Sequence, residues 1–488
     1  MLEYKRCAPE ITDGALLFVN ERSEKRSKKI GYHRTSLHYT RPKERYSFMK
    51  IKVIEKSYDE VLSIKKKKHK KPIRPNMFFR TLLKLVSVPD LMGTHFRHEK
   101  IGMEKLGKDE PALFLMNHSS FIDLEIVASM LYPRPFNIIT TGDGFIGKDA
   151  LMRWIGCIPT NKFVQDTTLV RDILHAVRKQ KSSIVLFPEA GYSFDGTSTT
   201  LPETTPQLIK MLKIPVVMIH AFGAFSRDPL YNNLQRRKVE VSATETYVLS
   251  PEDIEKMNVE EIGEIVDREF AFDNFAWQQE NHIKIDEPFR ADFLNRVLYK
   301  CPHCKKEGRM LGEGTKLVCR ECGVSYTLDE YGYLSCDNAE GKFTHVPDWY
   351  KWERECVRGE IERGEYKLDI PVDICMTIDT LHLYHVGEGR LTHGEQGFTL
   401  DGCEGKLHYG QKTRASYTVN SDFNWYELGD VISIGNNDHL FYCFPKVEGD
   451  IVAKTRLAAE EMYKIAMKKA AAEREQRRSK RAEDASNL

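Results

Sequence analysis

One stretch constrains the fold of this chain more than any other: an apolar run that ends in a polar turn and continues as a helix. Leu113 to Met116 are apolar, Asn117 to Ser120 are polar, and apolar residues then recur at helical spacing as far as Met130. A buried strand that leads directly into a helix is the basic unit of α/β proteins. Such proteins place their chemistry where strands end, so we expect His118 to lie at a functional edge of a sheet.

His118 and Asp123 are five residues apart. On one continuous helix, at about 100° per residue, they would point roughly 140° away from each other. They can pair only if His118 lies in the turn and Asp123 reaches back from the first helical turn, with Ser119 and Ser120 as N-caps. A carboxylate on one imidazole nitrogen leaves the other nitrogen as a general base. The alternative is a capped helix with a solvent-facing histidine.

Four sequence blocks occur in an order that resembles a known family. Asn117-His118-x-x-x-x-Asp123 is followed by Gly156-Cys-Ile-Pro-Thr-Asn-Lys162, by Phe187-Pro188-Glu189-Ala-Gly191-Tyr192-Ser193 and by the Pro-started strand Ile214 to Ile219. Together these blocks resemble the glycerolipid acyltransferases, which include lysophosphatidic acid acyltransferase. The resemblance covers roughly residues 100 to 225.

The resemblance implies transfer of a fatty acyl group from acyl-coenzyme A or acyl-acyl carrier protein to a lysophospholipid hydroxyl, with 1-acylglycerol-3-phosphate as the first expected acceptor. It implies that His118 is the general base and that Asp123 orients it. Backbone N–H groups at the helix start or around Gly156 are candidate oxyanion donors. The substrate-binding residues that the resemblance implies are Asn117, Gly156, Lys162, Phe187, Pro188, Glu189 and Gly191.

Two departures from the family pattern concern the acceptor. Lys162 stands where the family has Arg and offers a point charge instead of a bidentate fork for phosphate. Tyr192 stands where another Arg is expected, so a cation is missing from the third block. Compensating cations could come from Arg153, Arg171 or Arg227. A different lipid or amphipathic alcohol is therefore the alternative acceptor.

A second motif predicts a metal site. Cys301-Pro-His-Cys304 and Cys319-Arg-Glu-Cys322 are separated by fourteen residues. Two Cys-x-x-Cys knuckles at this spacing are typical of a zinc ribbon. Because four thiolates leave no open coordination position, we expect the zinc to be structural, with His303 outside its ligand set. Free thiols or a redox pair are the alternative.

The charge distribution suggests a membrane partner. Residues 1 to 100 carry 25 Lys and Arg against 11 Asp and Glu, whereas the whole chain has a net charge of only +2. The cluster from Lys65 to Arg74 leads into the apolar segment Phe78 to Val86, a pattern that can bind an anionic bilayer. A solvated tail before a packed helix is the alternative. Nucleic acid is not expected, because interleaved stacking aromatics are missing, and the basic region could attract acyl carrier protein.

The remaining patterns concern location and the start of the chain. We found neither an apolar run of 18 residues nor a signal peptide, and together with the many cysteines this predicts a cytoplasmic, peripherally membrane-associated protein. Met49 resembles a natural start, so the first 48 residues are interpreted as disordered or as an over-long gene model.

We predict five regions along the chain. They are a basic extension (1–74), an acyltransferase domain (75–295), the ribbon (296–335), a β-rich module ending in a helix (336–470) and a charged tail (471–488). The alternation of strands and helices in the second region predicts a mixed, largely parallel sheet flanked by helices. The β-rich module is similar to a pleckstrin-homology-like barrel and would dock lipid headgroups or cap the enzyme. A rival to catalysis is a non-catalytic lipid or partner adaptor built on the ribbon and this module.

Overall fold

The structure is a computed structural model that describes residues 51–65, 68–161, 166–379, 381–447 and 449–486, with side chains described as far as residue 477. The hypothesis about the first 48 residues therefore lies outside the described part of the chain, as does Lys162. Residues 49–488 form one compact unit.

The first half of the chain alternates strands with helices. In chain order the elements are β1 (Val53–Glu55), α1 (Tyr58–Leu62), α2 (Met77–Gly93), β2 (Arg97–Ile101), β3 (Leu113–Met116), α3 (Ile122–Met130), β4 (Phe136–Thr141), α4 (Asp149–Trp154), β5 (Cys157–Thr160), α5 (Thr167–Arg178), β6 (Ser183–Leu186), α6 (Thr204–Leu212), β7 (Val216–Phe222), α7 (Ala224–Arg227), β8 (Ser242–Leu249), α8 (Pro251–Lys256), α9 (Val259–Phe270) and α10 (Asn274–Glu280).

Seven of these strands form one sheet in the order β2-β8-β7-β3-β6-β4-β5. All neighbours are parallel except β7 and β8, which are antiparallel. Helices α2 and α3 pack on one face, and α5, α6 and α9 pack on the other. The predicted mixed, largely parallel sheet flanked by helices is therefore confirmed.

Two strands of this sheet were not predicted. Strand β2 has the sequence Arg-His-Glu-Lys-Ile and is exposed along its whole length, so it carries no apolar alternation. Strand β5 contains Pro159 and lies at the opposite edge, where a proline is tolerated. The last predicted strand, from Val239 to Thr246, begins later, at Ser242.

The ribbon region is a four-stranded antiparallel sheet in the order β12-β11-β10-β9. Its strands are β9 (Met310–Glu313), β10 (Lys316–Cys319), β11 (Ser325–Leu328) and β12 (Leu334–Cys336). Helix α11 (Val346–Glu362) follows, and its Trp349 Nε1–H donates to Lys300 O at 3.0 Å. This hydrogen bond connects α11 to the residues at the start of the ribbon.

The C-terminal module is a β-meander followed by a long helix. Its elements are β13 (Leu368–Thr377), β14 (Leu383–Gly394), β15 (Gly397–Gly402), β16 (Leu407–Lys412), β17 (Asn420–Trp425), β18 (Gly429–Gly435), β19 (Leu440–Pro445) and α12 (Ile451–Ser486). The strand order is β16-β15-β14-β13-β19-β18-β17, and β1 pairs in parallel with β14. A β-rich module ending in a helix was predicted here, and the pleckstrin-homology-like interpretation stays a prediction.

One strand of this module differs from the sequence pattern. The pattern predicts a strand from Ser416 to Val419, but β17 begins at Asn420. Its buried residues Phe423 and Trp425 alternate with polar residues, so the strand carries little apolar signal. Helix α12 continues to Ser486, through the region predicted as a charged tail (471–488).

The ribbon, α11 and the C-terminal module share one hydrophobic core with part of the first domain. Phe194 and Phe225 from the first domain join this core together with Trp349 and Phe423. Loops of the first domain and elements of the C-terminal module are therefore packed against each other. Within the described residues, no helix combines the length and apolar character that crossing a bilayer requires.

Candidate active site

Four parallel strands bring their carboxyl ends to one edge of the sheet. Strands β3, β6, β4 and β5 are adjacent and run in the same direction. The turn that carries His118 follows β3, and the third block follows its neighbour β6. The topology therefore brings the first and third blocks together, as expected for a site in an α/β sheet.

His118 lies in the turn after β3, and Asp123 lies in the first turn of α3. His118 Nδ1 is 2.9 Å from Asp123 Oδ2, and the Asp123 side chain is 1% exposed. Because a carboxylate cannot donate, the ring carries its proton on Nδ1, which leaves Nε2 with a lone pair. The His118 side chain is 24% exposed, so this arrangement can accept a proton from a bound molecule.

The helix start differs in detail from the expectation. Ser119 and Ser120 were expected to cap α3 with their side chains. Ser120 Oγ accepts the Ile122 N–H at 3.4 Å, and the backbone N–H groups of both serines donate to Asp123 Oδ2 at 2.8 and 3.0 Å. Phe121 is the N-cap residue and makes no side-chain cap. Asp123 therefore holds the turn as well as the imidazole, and these two N–H groups are already used and are not oxyanion donors.

The third block forms a loop, here called the third-block loop (residues 187–199), which surrounds His118. The rings of Phe187 and Tyr192 lie 4.3 and 4.4 Å from the imidazole, measured between centroids. The His118 N–H donates to Glu189 Oε2 at 2.8 Å, and the Ser193 N–H donates to His118 O at 3.2 Å. The loop therefore fixes both the ring and the backbone of His118.

Glu189 is a buried support of this arrangement. Its Oε1 accepts the Thr199 N–H at 2.7 Å, while Oε2 accepts the His118 N–H. Burial raises the pKa of Glu189 to about 7, although these two N–H groups and the charge of Arg456 lower it. In this structure the carboxylate binds backbone, and its predicted contact with substrate stays a prediction.

Two small residues shape the loop. Ala190 has φ of +54°, in the left-handed region that favours glycine. Its N–H donates to Phe187 O at 3.0 Å, which closes a tight turn. Gly191 lies next to this turn in open space.

The third-block loop also contacts the C-terminal module, because Pro188 O accepts a hydrogen bond from Tyr417 of that module at 3.5 Å.

Asn117 connects two strands. Its amide donates to Ala221 O at 3.1 Å and accepts the Ala221 N–H at 2.8 Å. The side chain is buried and both ends of its amide are used by β7. Asn117 therefore fixes the end of β3, and a role in substrate binding stays a prediction.

The structure does not place Gly156 beside His118. Gly156 precedes β5 and lies at the amino end of that strand, whereas His118 follows the carboxyl end of β3. The Gly156 N–H donates to Arg153 O at 3.0 Å and is therefore already used. Oxyanion donors around Gly156 and a role of Gly156 in substrate binding stay predictions. Its φ is +97°, and an added Cβ would lie 2.8 Å from Phe136 O.

The three arginines proposed to compensate for Tyr192 are each bound by other groups. Arg153 pairs with Asp149 at 3.1 Å, and Arg171 donates to Thr167 O, within its own helix, at 3.3 Å. Arg227 is buried and is neutralised by Asp90 at 2.6 Å and Asp228 at 2.9 Å.

Acidic groups surround Tyr192 instead. Asp123, Asp228 and Asp422 raise the pKa of its phenol further above the usual range, beyond the larger effect of burial.

The four cysteines of the two knuckles form one cluster. Their sulfur atoms all lie within 4.8 Å of one another, with Cys301–Cys322 and Cys304–Cys319 separations of 3.7 Å. Tetrahedral zinc with Zn–S bonds near 2.3 Å places its sulfurs about 3.8 Å apart, so the donor set fits zinc. His303 bonds Tyr326 OH at 3.0 Å.

Sequence reasoning missed the contribution of the C-terminal module to this site. Arg456, on α12, donates to Tyr192 O at 3.3 Å, and Phe423 packs on Phe194 with centroids 4.6 Å apart. Neither contact can be recognised from a local sequence pattern, because the partners are more than 200 residues apart in the chain. In addition, the group that accepts from Arg456 is a backbone carbonyl, which every residue has. Only the alternation in β17 could have identified Phe423 as a buried residue.

Comparison with known proteins gives a match to a family model and weak likeness to solved structures. Residues 97–220, from β2 into β7, match the family model described as Acyltransferase. The crystal structure of the 1-acyl-sn-glycerophosphate (LPA) acyltransferase PlsC from Thermotoga maritima is 16% identical over 39% of this chain and 78% of that chain, with a TM-score of 0.29. A TM-score this low is not evidence of a shared fold. No curated protein matches the chain.

Proposed function

Taking the acyltransferase domain within residues 97–220 as the premise, we propose that the chain transfers a fatty acyl group from a thioester to the free hydroxyl of a lysophospholipid. The observation that carries the proposal is the His118–Asp123 pair, 2.9 Å apart, at the carboxyl end of β3 within the matched segment. A buried carboxylate on Nδ1 of a partly exposed imidazole is what a general base requires.

The reaction can be written from these atoms. His118 Nε2 takes the proton of the acceptor hydroxyl as its oxygen attacks the thioester carbonyl carbon. The C–S bond of the tetrahedral intermediate then breaks, and the imidazolium returns its proton to the leaving sulfur. Asp123 holds Nδ1–H throughout and stabilises the charged ring. The products are an ester and a free thiol, which is released from coenzyme A or from acyl carrier protein.

As acceptor we propose 1-acylglycerol-3-phosphate, with phosphatidic acid as the product, because four ordered blocks resemble enzymes of that class. In this proposal Lys162 would hold the phosphate. A second candidate acceptor is a lipid or amphipathic alcohol without phosphate beside the hydroxyl. It is favoured by the contact of the Tyr192 ring with His118 and by the acidic groups around Tyr192.

We further propose that the enzyme works at an anionic membrane surface. One side of α2 exposes large apolar side chains, and exposed cations precede it. The apolar residues are Met77, Phe78, Leu82, Leu85, Val86 and Met92. The cations are Lys68, Lys70, Lys71 and Arg74. Apolar burial together with attraction to acidic lipids would hold the protein where its substrates lie.

The four-cysteine cluster is proposed to hold one structural zinc ion. Cys301, Cys304, Cys319 and Cys322 would supply four thiolates, and the metal would join the two knuckles of the ribbon. No catalytic step is assigned to it. The ribbon would thereby gain the cohesion that its short strands cannot supply.

The test of the proposed function is thiol release from acyl-coenzyme A and from acyl-acyl carrier protein, with and without lysophosphatidic acid. The purified protein and its His118→Ala variant are compared. We expect acceptor-dependent release that falls by at least about 100-fold in the variant.

Release that requires a different alcohol would select the second acceptor class. Absence of release with every lysolipid tested would refute the enzymatic proposal and favour a non-catalytic adaptor. Flotation with vesicles containing acidic lipid, compared between the protein and a Phe78→Glu variant, tests the membrane proposal separately.

A further inference from the structure

The C-terminal helix α12 reaches the loop that surrounds the catalytic histidine. Arg456 is 6% exposed and lies in the second turn of α12. Its Nη1–H donates to Tyr192 O at 3.3 Å, and its guanidinium lies 4.3 Å from the centre of the Phe194 ring. One side chain therefore binds both the backbone and a ring of the third-block loop.

Arg456 is itself held in a fixed orientation. Its Nε–H donates to Glu460 Oε1 at 3.3 Å, one turn along α12. Glu460 also accepts from Thr418 Oγ1 at 3.0 Å and pairs with Arg354 of α11 at 2.7 Å. Because Glu460 neutralises the guanidinium and several groups hold the carboxylate, Arg456 has little freedom to move.

The third-block loop in turn holds His118 through four contacts. Two are hydrogen bonds to the N–H and C=O of His118, and two are the flanking rings of Phe187 and Tyr192. The Tyr192 contact is the shortest route from Arg456, since the carbonyl that Arg456 binds belongs to the residue whose ring lies on the imidazole.

We propose that Arg456 is a positioning residue for His118, so that the C-terminal module completes the active site of the acyltransferase domain. Its guanidinium binds loop backbone and Glu460, so it acts through the loop and does not supply charge to the reacting atoms. The inference rests on the proposed function only for its kinetic measurement. It goes beyond that function because it gives the C-terminal module, which lies outside the four sequence blocks, a role in positioning His118.

The experiment compares Arg456→Met and Arg456→Lys with a matched control, Arg358→Met. Arg358 also joins α11 to α12, through Glu461 at 2.7 Å, but it is 45% exposed and its ion pair lies with Glu461, away from the third-block loop. Each variant is assayed for thiol release, for thermal unfolding and for the rate at which diethyl pyrocarbonate modifies His118, followed by peptide mass spectrometry.

We expect Arg456→Met to lower kcat by about 10- to 100-fold with KM for the thioester changed less than about threefold, because misplacing a base affects the chemical step. Modification of His118 should become several times faster as Tyr192 loses its support. Arg456→Lys keeps the positive charge near Glu460 but cannot bind Tyr192 O and Glu460 at the same time. Its kcat should therefore lie between those of the wild type and Arg456→Met. Arg358→Met should resemble the wild type in both readouts.

Each outcome decides the proposal. If Arg456→Met retains kcat and His118 reactivity within about twofold of Arg358→Met, Arg456 does not position the base. If Arg456→Met does not fold, Arg456→Lys decides on the same criteria. If the wild type releases no thiol, the proposed function fails, but the reactivity of His118 in the three variants still tests the positioning role independently.

Discussion

The four-cysteine cluster and the histidine site are assembled in opposite ways. All four cysteines come from the 22 residues between Cys301 and Cys322, in one knuckle before β9 and a second that begins at the last residue of β10. The histidine site combines His118 and Asp123 with a loop from residue 187 onward and with Arg456. A local site can be recognised from spacing alone, whereas a site made of distant segments depends on a topology that brings them together.

The two sites also differ in what holds them together. The cysteine sulfurs have no strong interactions with one another, so their grouping depends on the metal that we propose they bind. The histidine site is held by hydrogen bonds and ring contacts that are each modest. We therefore expect the cluster to fail completely when one member is lost, and the histidine site to lose function in graded steps.

The largest effect is expected at the cluster. Cys301→Ser removes one of four thiolates, and since structural zinc contributes on the order of 10 kcal/mol to small zinc domains, the ribbon should lose both metal and fold. Cys336→Ser is the control, because Cys336 belongs to β12 of the same ribbon but not to the cluster. Zinc content per chain measures metal binding, and proteolysis of the ribbon measures its folding, in both variants. Equal zinc content in Cys301→Ser and Cys336→Ser would contradict the proposal that the four-cysteine cluster holds the metal.

Asp123→Asn tests the core of the histidine site. The amide cannot fix the Nδ1–H tautomer as a carboxylate does, so activity should fall by about 100-fold or more while the fold is retained. Glu125→Gln is a matched control on the same helix, because burial raises the pKa of Glu125 to about 8 and the neutral acid resembles an amide at pH 7. Thiol release by both variants at pH 7 is the measurement.

Glu189→Gln tests how the buried support of His118 responds to pH. Since the pKa of Glu189 is about 7 in the folded chain against 4.5 for a free carboxyl, the folded state retains a proton that the unfolded state loses. This contribution to stability is therefore present at low pH and is lost as pH rises through about 7, by up to roughly 3 kcal/mol.

Urea unfolding at pH 5.5 and 8.5 should show this loss in the wild type and a smaller one in the variant. Asp228, whose pKa burial also raises to about 7, is common to both proteins and cancels. Equal pH dependence in the two proteins would show that the raised pKa of Glu189 makes no contribution.

Gly156→Ala examines a residue of the second block that lies away from His118. The added Cβ would meet Phe136 O and Pro75 Cγ, and the backbone would keep φ near +97°. We expect a loss of about 2 kcal/mol in stability, measured as a lower thermal midpoint. A variant as stable as the wild type would contradict the steric argument.

Ala190→Gly is expected to have the smallest effect, with the opposite sign. Ala190 already adopts a left-handed backbone at φ +54°, which costs an L-residue about 1 kcal/mol or more. Glycine removes that cost, so the thermal midpoint should rise slightly. A lower midpoint would mean that the Ala190 methyl group contributes packing in the third-block loop.

Much of the fold could be predicted because apolar periodicity reports burial directly. The boundaries of α3 and α9 agree with their patterns, since each buries one apolar face. Strand β2 could not be found in this way because all five of its residues are exposed. The sequence pattern predicts a strand a few residues before β17, because the buried rings of β17 are separated by polar residues. Those polar residues become part of a strand only through pairing with neighbouring strands.

The candidate site was predictable only in part, and the reason is chemical. Spacing restricts how His118 and Asp123 can meet, because a turn followed by a helix allows few geometries. The hydrogen bonds that hold His118 use its own backbone, which every residue possesses: its N–H donates to Glu189 Oε2, and its C=O accepts the Ser193 N–H. The partner of Arg456 is likewise a carbonyl, so no residue type in the sequence could have indicated it.

The position of Arg456 in the last described helix has a consequence for synthesis on the ribosome. Domains generally fold as they emerge, from the N-terminal side first. A nascent chain therefore exposes the histidine and its carboxylate long before α12 is made, while the third-block loop still lacks its support. If Arg456 positions the base, the growing chain passes through a stage at which its sheet is formed but its activity is still low, and full activity is reached only when translation has passed the β-meander.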